Sequence, residues 1–247
     1  MKSKPKLALL HGWGMNPRVF DVLTASLENH CALLPLALPG HGGTYTLTDN
    51  TLTTWASHIA EQLPLGAVLF GWSLGGQIAM RIALDYAARV SRLILMSTTP
   101  KFVLAPDWQA GIPYQDLQAF AADMQADTRA TLLRFLSLQT RGATGQKALL
   151  QNLRASLFSQ ALPNTHALQA GLEMLLHTDL RTDVCKLTLP TLVIHGSLDK
   201  LTPPAAGDWL ANNLVSARYK LIGGAAHAPF LSHTKLVAEM ILEALHG

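Results

Sequence analysis

The sequence predicts an α/β domain: a mostly parallel central sheet with helices on both faces and an inserted helical cap. Three observations predict it. Over the first hundred residues, short apolar runs alternate with longer helix-like stretches, and strands that are apolar throughout belong to a parallel sheet covered on both sides. From about Thr98 to Leu187 this rhythm lapses into helical periodicity, and afterwards it resumes. A chain of 247 residues, 49% hydrophobic and only 14% charged, has ample material for a single large core.

The elements follow in order. "KLALLHG" reads as a strand and "VFDVLTASLENH" as a helix. "CALLPLALPGHG" is a strand running into a glycine-rich loop, and "TLTTWASHIAEQL" is a helix. "AVLFG" is a strand, "LGGQIAMRIALDYAARV" a helix, and "SRLILMS" a strand. In the insertion, breaks fall at Gly111 to Pro113, at Gly142 to Gly145 and at Pro163-Asn164, which divide it into several short helices. "LPTLVIHGSLD" resumes the sheet. A helix around "AAGDWLANNL", the strand "ARYKLIGG" and the helix "HTKLVAEMILEALH" complete it. The expected organisation is a core of residues 1–98 and 188–247, with a cap of residues 99–187 over one sheet edge.

Composition excludes several classes. A net charge of +3 is too mild for a nucleic-acid binder. Cys31 and Cys185 are too few and too far apart for a disulfide framework or a metal cluster. Both are expected to sit as small apolar residues. No His, Cys and Asp cluster has metal spacing, so neither metal nor cofactor is expected. The run "LALL" near the start is shorter than a leader needs, and no window reaches the length of a membrane span. The expectation is a soluble, cytoplasmic monomer.

The chemistry centres on "GWSLGG". Ser73 stands between an apolar strand and a helix, with Gly71 and Gly75 two residues to either side. The pentapeptide alone is common in glycine-rich turns. Its position after a parallel strand gives it meaning, because ligands bind beyond the carboxyl ends of such strands. A tight strand-to-helix turn leaves room only for glycine around a projecting serine, and it sets the hydroxyl at a helix N-terminus. Such a hydroxyl needs a base. Of ten histidines, His227 follows the last strand, and His233, at the start of the final helix, is its nearest rival. The base needs an orienting carboxylate. Asp199 alone ends a strand, whereas Asp179, Asp183 and Asp208 lie in the cap, its exit and a helix. An oxyanion hole would use the backbone N–H of Leu74 and, from the "HGWG" loop, that of Trp13. His11 is expected to hold this loop by hydrogen bonds.

Together, "HGWG", "LPGHG", "GWSLGG", "HGSLDKLTP" and "AAHAPF" resemble the α/β-hydrolase superfamily over essentially the whole chain. Within it, "LLHGWGMN", "RFLSLQT" and "AAHAPFLSH" are similar to carboxylesterases of biotin synthesis that remove a methyl ester from a pimeloyl chain on acyl-carrier protein. The resemblance implies the triad Ser73, Asp199 and His227, and substrate or oxyanion contacts at Trp13 and Leu74. It implies an acyl channel lined by Phe135, Leu136, Ser137, Leu138 and Gln139, and activity on short-chain esters. Enzymes of this kind usually carry a strand or hairpin before the one found here at "KLALLHG", so an edge strand is expected to be missing.

The cap adds an independent feature. No Asp or Glu falls between Thr128 and Leu172, whereas Arg129, Arg134, Arg141, Lys147 and Arg154 do. Arg134 and Arg141 are seven apart, as are Lys147 and Arg154, so each pair is expected to share a helix face. A field of one sign attracts an acidic partner, which agrees with a transient acyl-carrier contact. Two other readings remain at this point: a broad-specificity esterase of a catabolic route, and a ligand receptor on the same fold.

Overall fold

The computed structural model describes residues 4–246. Residues 1–3, where the stretch examined for a leader begins, and Gly247 lie outside the described residues. Strand β1 (Lys6–Leu10) is followed by a 3-10 turn (Pro17–Phe20), α1 (Asp21–Leu27), β2 (Ala32–Leu36), α2 (Leu52–Gln62), β3 (Ala67–Trp72), α3 (Leu74–Asp85) and β4 (Val90–Met96). After the insertion come β5 (Thr191–Gly196), α9 (Pro204–Asn213), β6 (Ala217–Ile222), α10 (Pro229–Ser232) and α11 (Thr234–His246).

The strands form one sheet in the order β2-β1-β3-β4-β5-β6, parallel at every pairing. No antiparallel strand joins it among the described residues. Burial follows position. Interior β3 and β5 are buried at every residue, as parallel strands covered on both faces must be, whereas edge β6 alternates towards solvent. Helix α1 packs on α11, and α2 on α3. The chain leaves β1 for the edge at β2 and returns to β3 on the other side of β1. The order therefore reverses between β1 and β3, and the crevice beyond their carboxyl ends is where an open α/β sheet receives ligands.

Between β4 and β5 the described residues hold no strand, only three isolated bridges. They hold α4 (Tyr114–Ala126), α5 (Thr128–Thr140), α6 (Gln146–Phe158), α7 (Thr165–His177) and α8 (Arg181–Val184). The sequence break at Gly111 to Pro113 precedes α4, and the other two separate α5 from α6 and α6 from α7. One more falls at Asp127, whose side chain accepts from the N–H of Ala130 and starts α5. The entry and exit segments of the insertion are tied to each other. Arg181 pairs with Asp179 and Asp107, and Lys101 with Asp179. The Trp108 ring meets Trp209 of α9 edge-on. Cys31 is buried, but Cys185 is exposed at the end of α8, where its thiol donates to the carbonyl of Arg181. The expectation of two buried cysteines fails because that short helix covers only one side of itself. No described helix is long and apolar enough to cross a membrane.

Candidate active site

Ser73 links β3 to α3 with φ 56° and ψ −122°, a region that costs a non-glycine residue about 1–3 kcal/mol. Its surroundings enforce that backbone. A Cβ on Gly75 would lie 2.4 Å from the carbonyl oxygen of Leu10 and 2.6 Å from that of His11. On Gly71 it would lie 2.5 Å from the carbonyl oxygen of Gly75. Only glycine permits this approach of β1, β3 and α3. Thr98 donates its hydroxyl to the Ser73 carbonyl (2.7 Å), and the Ser73 N–H donates to Met96 (3.1 Å). The neighbouring Ser97 also has a positive φ, 45°, so strain is concentrated where β3 and β4 end.

His227 and Asp199 meet in the loops after β6 and β5. His227 Nδ1 donates to Asp199 Oδ2 at 2.9 Å, with both side chains buried. A carboxylate only accepts, so the proton belongs on Nδ1 and the lone pair on Nε2. That Nε2 is buried with no hydrogen-bond partner among the described residues. The backbone of His227 is tied to the residue before Ser73: the Trp72 indole N–H donates to the His227 carbonyl at 2.7 Å. No hydrogen bond joins Ser73 Oγ to His227 among the described residues. Contacts of this kind tighten when substrate binds.

Asp199 is itself oriented. Its Oδ1 accepts from the N–H groups of Leu201 and Thr202, both at 3.0 Å, and its Oδ2 accepts from the Thr202 hydroxyl at 2.8 Å. Burial alone would raise the carboxyl's pKa. The facing His227, its hydrogen bond, His195 and the Thr202 N–H outweigh burial and hold it below the ordinary value. The rival acids are engaged elsewhere: Asp179 with Arg181, Asp183 with Lys186, and Asp208 with Asn212. His233 accepts from or donates to Ser232, 2.8 Å away.

Trp13 follows β1 at the switch point. Its backbone N–H, like that of Leu74 at the first turn of α3, donates to no group among the described residues. A Cβ on the adjacent Gly12 would lie 3.0 Å from the Ser73 Cβ, so this loop runs against the serine. His11 fastens it. Its Nδ1–H donates to the Gly12 carbonyl (2.9 Å) and its Nε2 accepts from the Leu38 N–H (3.1 Å). Burial, then the nearby His41, lowers its pKa to about 3 and keeps it neutral.

A cavity of about 370 Å³ lies beneath the insertion, walled by Phe102, Phe120, Phe135, Leu172 and Leu175. Phe120 and Phe135 pack edge-on against the Trp13 ring. Of the stretch 135–139, Phe135 and Leu138 line this cavity. Leu136 is buried in the main core, Ser137 donates back to Leu133, and Gln139 offers its carbonyl to the His227 N–H at 3.1 Å. Five successive helical residues point all round the axis. Arg129, Arg134, Arg141, Lys147 and Arg154 are all exposed. Arg134 pairs with Asp123 of α4 at 2.6 Å, so the field is less single-signed than the window from Thr128 onwards implies. α5 ends at Thr140, which leaves Arg141 as its cap and off the shared face. Among the described residues no group of His, Cys, Asp and Glu is arranged to hold a metal ion.

Sequence reasoning misses Thr202, Thr98 and Trp72. For Thr202 alone there is a signal: a threonine three residues after a strand-ending aspartate can turn back on it.

The model of the alpha/beta hydrolase family matches residues 7–240. Curated relatives named pimeloyl-[acyl-carrier protein] methyl ester esterase include one from Aromatoleum aromaticum, 38% identical over 99% of this chain and 100% of its own length. Another, from Nitrosomonas europaea, is 40% identical over 92% of this chain and 90% of its own. Among solved structures, an esterase from Exiguobacterium antarcticum superposes with a TM-score of 0.89 over 100% of this chain and 94% of that one, at 23% identity.

Proposed function

The chain belongs to the alpha/beta hydrolase family, and we propose that it is a serine carboxylesterase hydrolysing the methyl ester of pimeloyl-[acyl-carrier protein] in biotin synthesis. One observation carries the reading: near-full-length likeness to curated esterases of that name. The geometry supports the following mechanism. Ser73 Oγ attacks the ester carbonyl while His227 Nε2 takes its proton, with Asp199 holding the imidazole and stabilising its cationic form. The oxyanion accepts from the N–H groups of Trp13 and Leu74. The C–OMe bond breaks, His227 gives its proton to the departing methoxide so that methanol leaves, and a water deprotonated by His227 then cleaves the acyl-enzyme. Ser73 regains its proton, and a carboxylate is released.

In this reading residues 99–187 act as a cap, with the acyl chain lying in the cavity under it beside Phe135 and Leu138. The acidic carrier docks on the exposed cations Arg129, Arg134, Arg141, Lys147 and Arg154, and the enzyme works in the cytoplasm. The test is hydrolysis of carrier-bound methyl pimeloyl thioester by wild-type protein and Ser73→Ala. The variant should stay folded and lose about 10⁴-fold or more in turnover. Near-wild-type hydrolysis of p-nitrophenyl acetate by Ser73→Ala would refute the assignment.

A further inference from the structure

The cavity wall is apolar, yet two cations, Arg141 and Lys200, also line it. They come from different elements. Arg141 caps the carboxyl end of α5, and Lys200 follows Asp199 in the loop after β5. Neither makes an ion pair among the described residues, in contrast to Arg134 on the same helix, which Asp123 neutralises. Asp116 lines the cavity as well, but it joins neither cation. Two positive groups lining one largely apolar cavity from different elements suit a ligand with a methylene chain and an anionic end. Carrier-bound substrate does not supply one there, because its far end is a neutral thioester.

We infer that the cavity also takes the free carboxylate of a half-ester, so that the protein hydrolyses monoalkyl esters of medium-chain dicarboxylic acids without a carrier. This rests on the reading of Ser73 as nucleophile. The ester carbonyl lies at Ser73, the methylenes run along Phe135 and Leu172, and the distal carboxylate sits between Arg141 and Lys200. Water cleaves the acyl–oxygen bond. The alcohol leaves with the proton from His227, and the product is a dicarboxylate with one proton released to solvent.

The experiment compares kcat/KM for monomethyl and dimethyl pimelate at low salt. The half-ester should be preferred about tenfold, mainly through KM, and the preference should shrink as salt screens the cations. In the double variant Arg141→Gln, Lys200→Gln the ratio should fall towards one. A wild-type ratio at or below one, or an unchanged ratio in the double variant, would overturn the inference while leaving the esterase reading intact. Calorimetry on Ser73→Ala protein separates the two ideas, because it reads binding without turnover. Tighter binding of half-ester than diester, lost with the two cations removed, supports the site even if the wild type hydrolyses neither. Equal binding rejects it.

Discussion

Acid should unfold this protein sooner than its carboxylates alone require. His11, His41 and His195 are fully buried, and burial is the largest influence on each. It lowers their pKa values from 6.5 to about 3, about 4 and about 4 respectively. Both ring nitrogens of His195 and Nε2 of His41 have no side-chain hydrogen-bond partner among the described residues, and the attraction of Asp199 for a proton on His195 is outweighed by burial. The unfolded chain takes up these protons near pH 6.5, the native protein not until about pH 4 or below. Between those limits the unfolded state binds more protons. Stability is therefore complete above the upper limit and falls as pH drops through the window. Each histidine withdraws about 1.4 kcal/mol per pH unit, or about 3 kcal/mol by pH 4.5. Three of them rival the whole stability of an ordinary domain, about 5–15 kcal/mol. Urea unfolding followed by circular dichroism at pH 7.5, 6, 5 and 4.5 measures this directly. The free energy should drop by about 3–4 kcal/mol per pH unit near pH 5, and His195→Gln should remove about a third of that slope. Constant stability from pH 7 to pH 5 would refute the reasoning. Asp199 acts in the same direction but lower, because its depressed pKa lets its contribution go only below its ordinary value of 3.8.

Gly75→Ala forces a Cβ against the carbonyl oxygens of Leu10 and His11. The displaced "HGWG" loop should lower kcat by about 10²–10³-fold, and wild-type kcat would show that the loop tolerates the shift. Thr202→Val removes the hydroxyl donor to Asp199 Oδ2. It should lower kcat about tenfold with little change in KM, and an unaltered kcat would deny that hydroxyl a positioning role. Raising salt should weaken kcat/KM for carrier-bound ester far more than for a small neutral ester. Equal salt sensitivity would argue against docking on the exposed cations of the insertion.

The fold is legible because each interior strand is an apolar run closed by glycine or a short loop, as in "AVLFG" and "TLVIHG". Ser73 and Asp199 stand out as candidates for the same reason, since each follows such a run, whereas His227 is marked only by its place after the last strand, the edge strand β6. What is not legible depends on orientation within a helix or a loop. The run "FLSLQ" shows it, since i and i+3 put Phe135 and Leu138 on the cavity while Leu136 turns into the core. The partner of Arg134 is equally hidden, because Asp123 lies on the preceding helix, across a break that only Asp127 marks. Thr202 and Lys200 gain their meaning from how the loop after β5 closes on Asp199, a tertiary fact with little trace in spacing.

Hydrogen bonds join the insertion to the loops that carry the candidate site. A helix leaves its last carbonyls without intrahelical donors. Near the end of α5, the carbonyl of Gln139 accepts from the His227 N–H, and near the end of α6, that of Ser156 accepts from Asn16 Nδ2 at 2.8 Å. On α7, Leu168 accepts from the Trp13 indole N–H at 2.8 Å. The segments carrying the candidate base and the oxyanion loop thus end on backbone groups of three inserted helices, so ordering the insertion and placing His227 are coupled. Leu136→Ala tests the coupling from a residue that touches no reacting atom. Removing this buried side chain of α5 should cost about 2–5 kcal/mol. If the two are coupled, hydrogen exchange at the His227 amide should accelerate together with that of α5 while β1 and β3 keep their protection. Faster exchange in α5 with His227 unchanged would show that the loop after β6 holds its shape without the inserted helices.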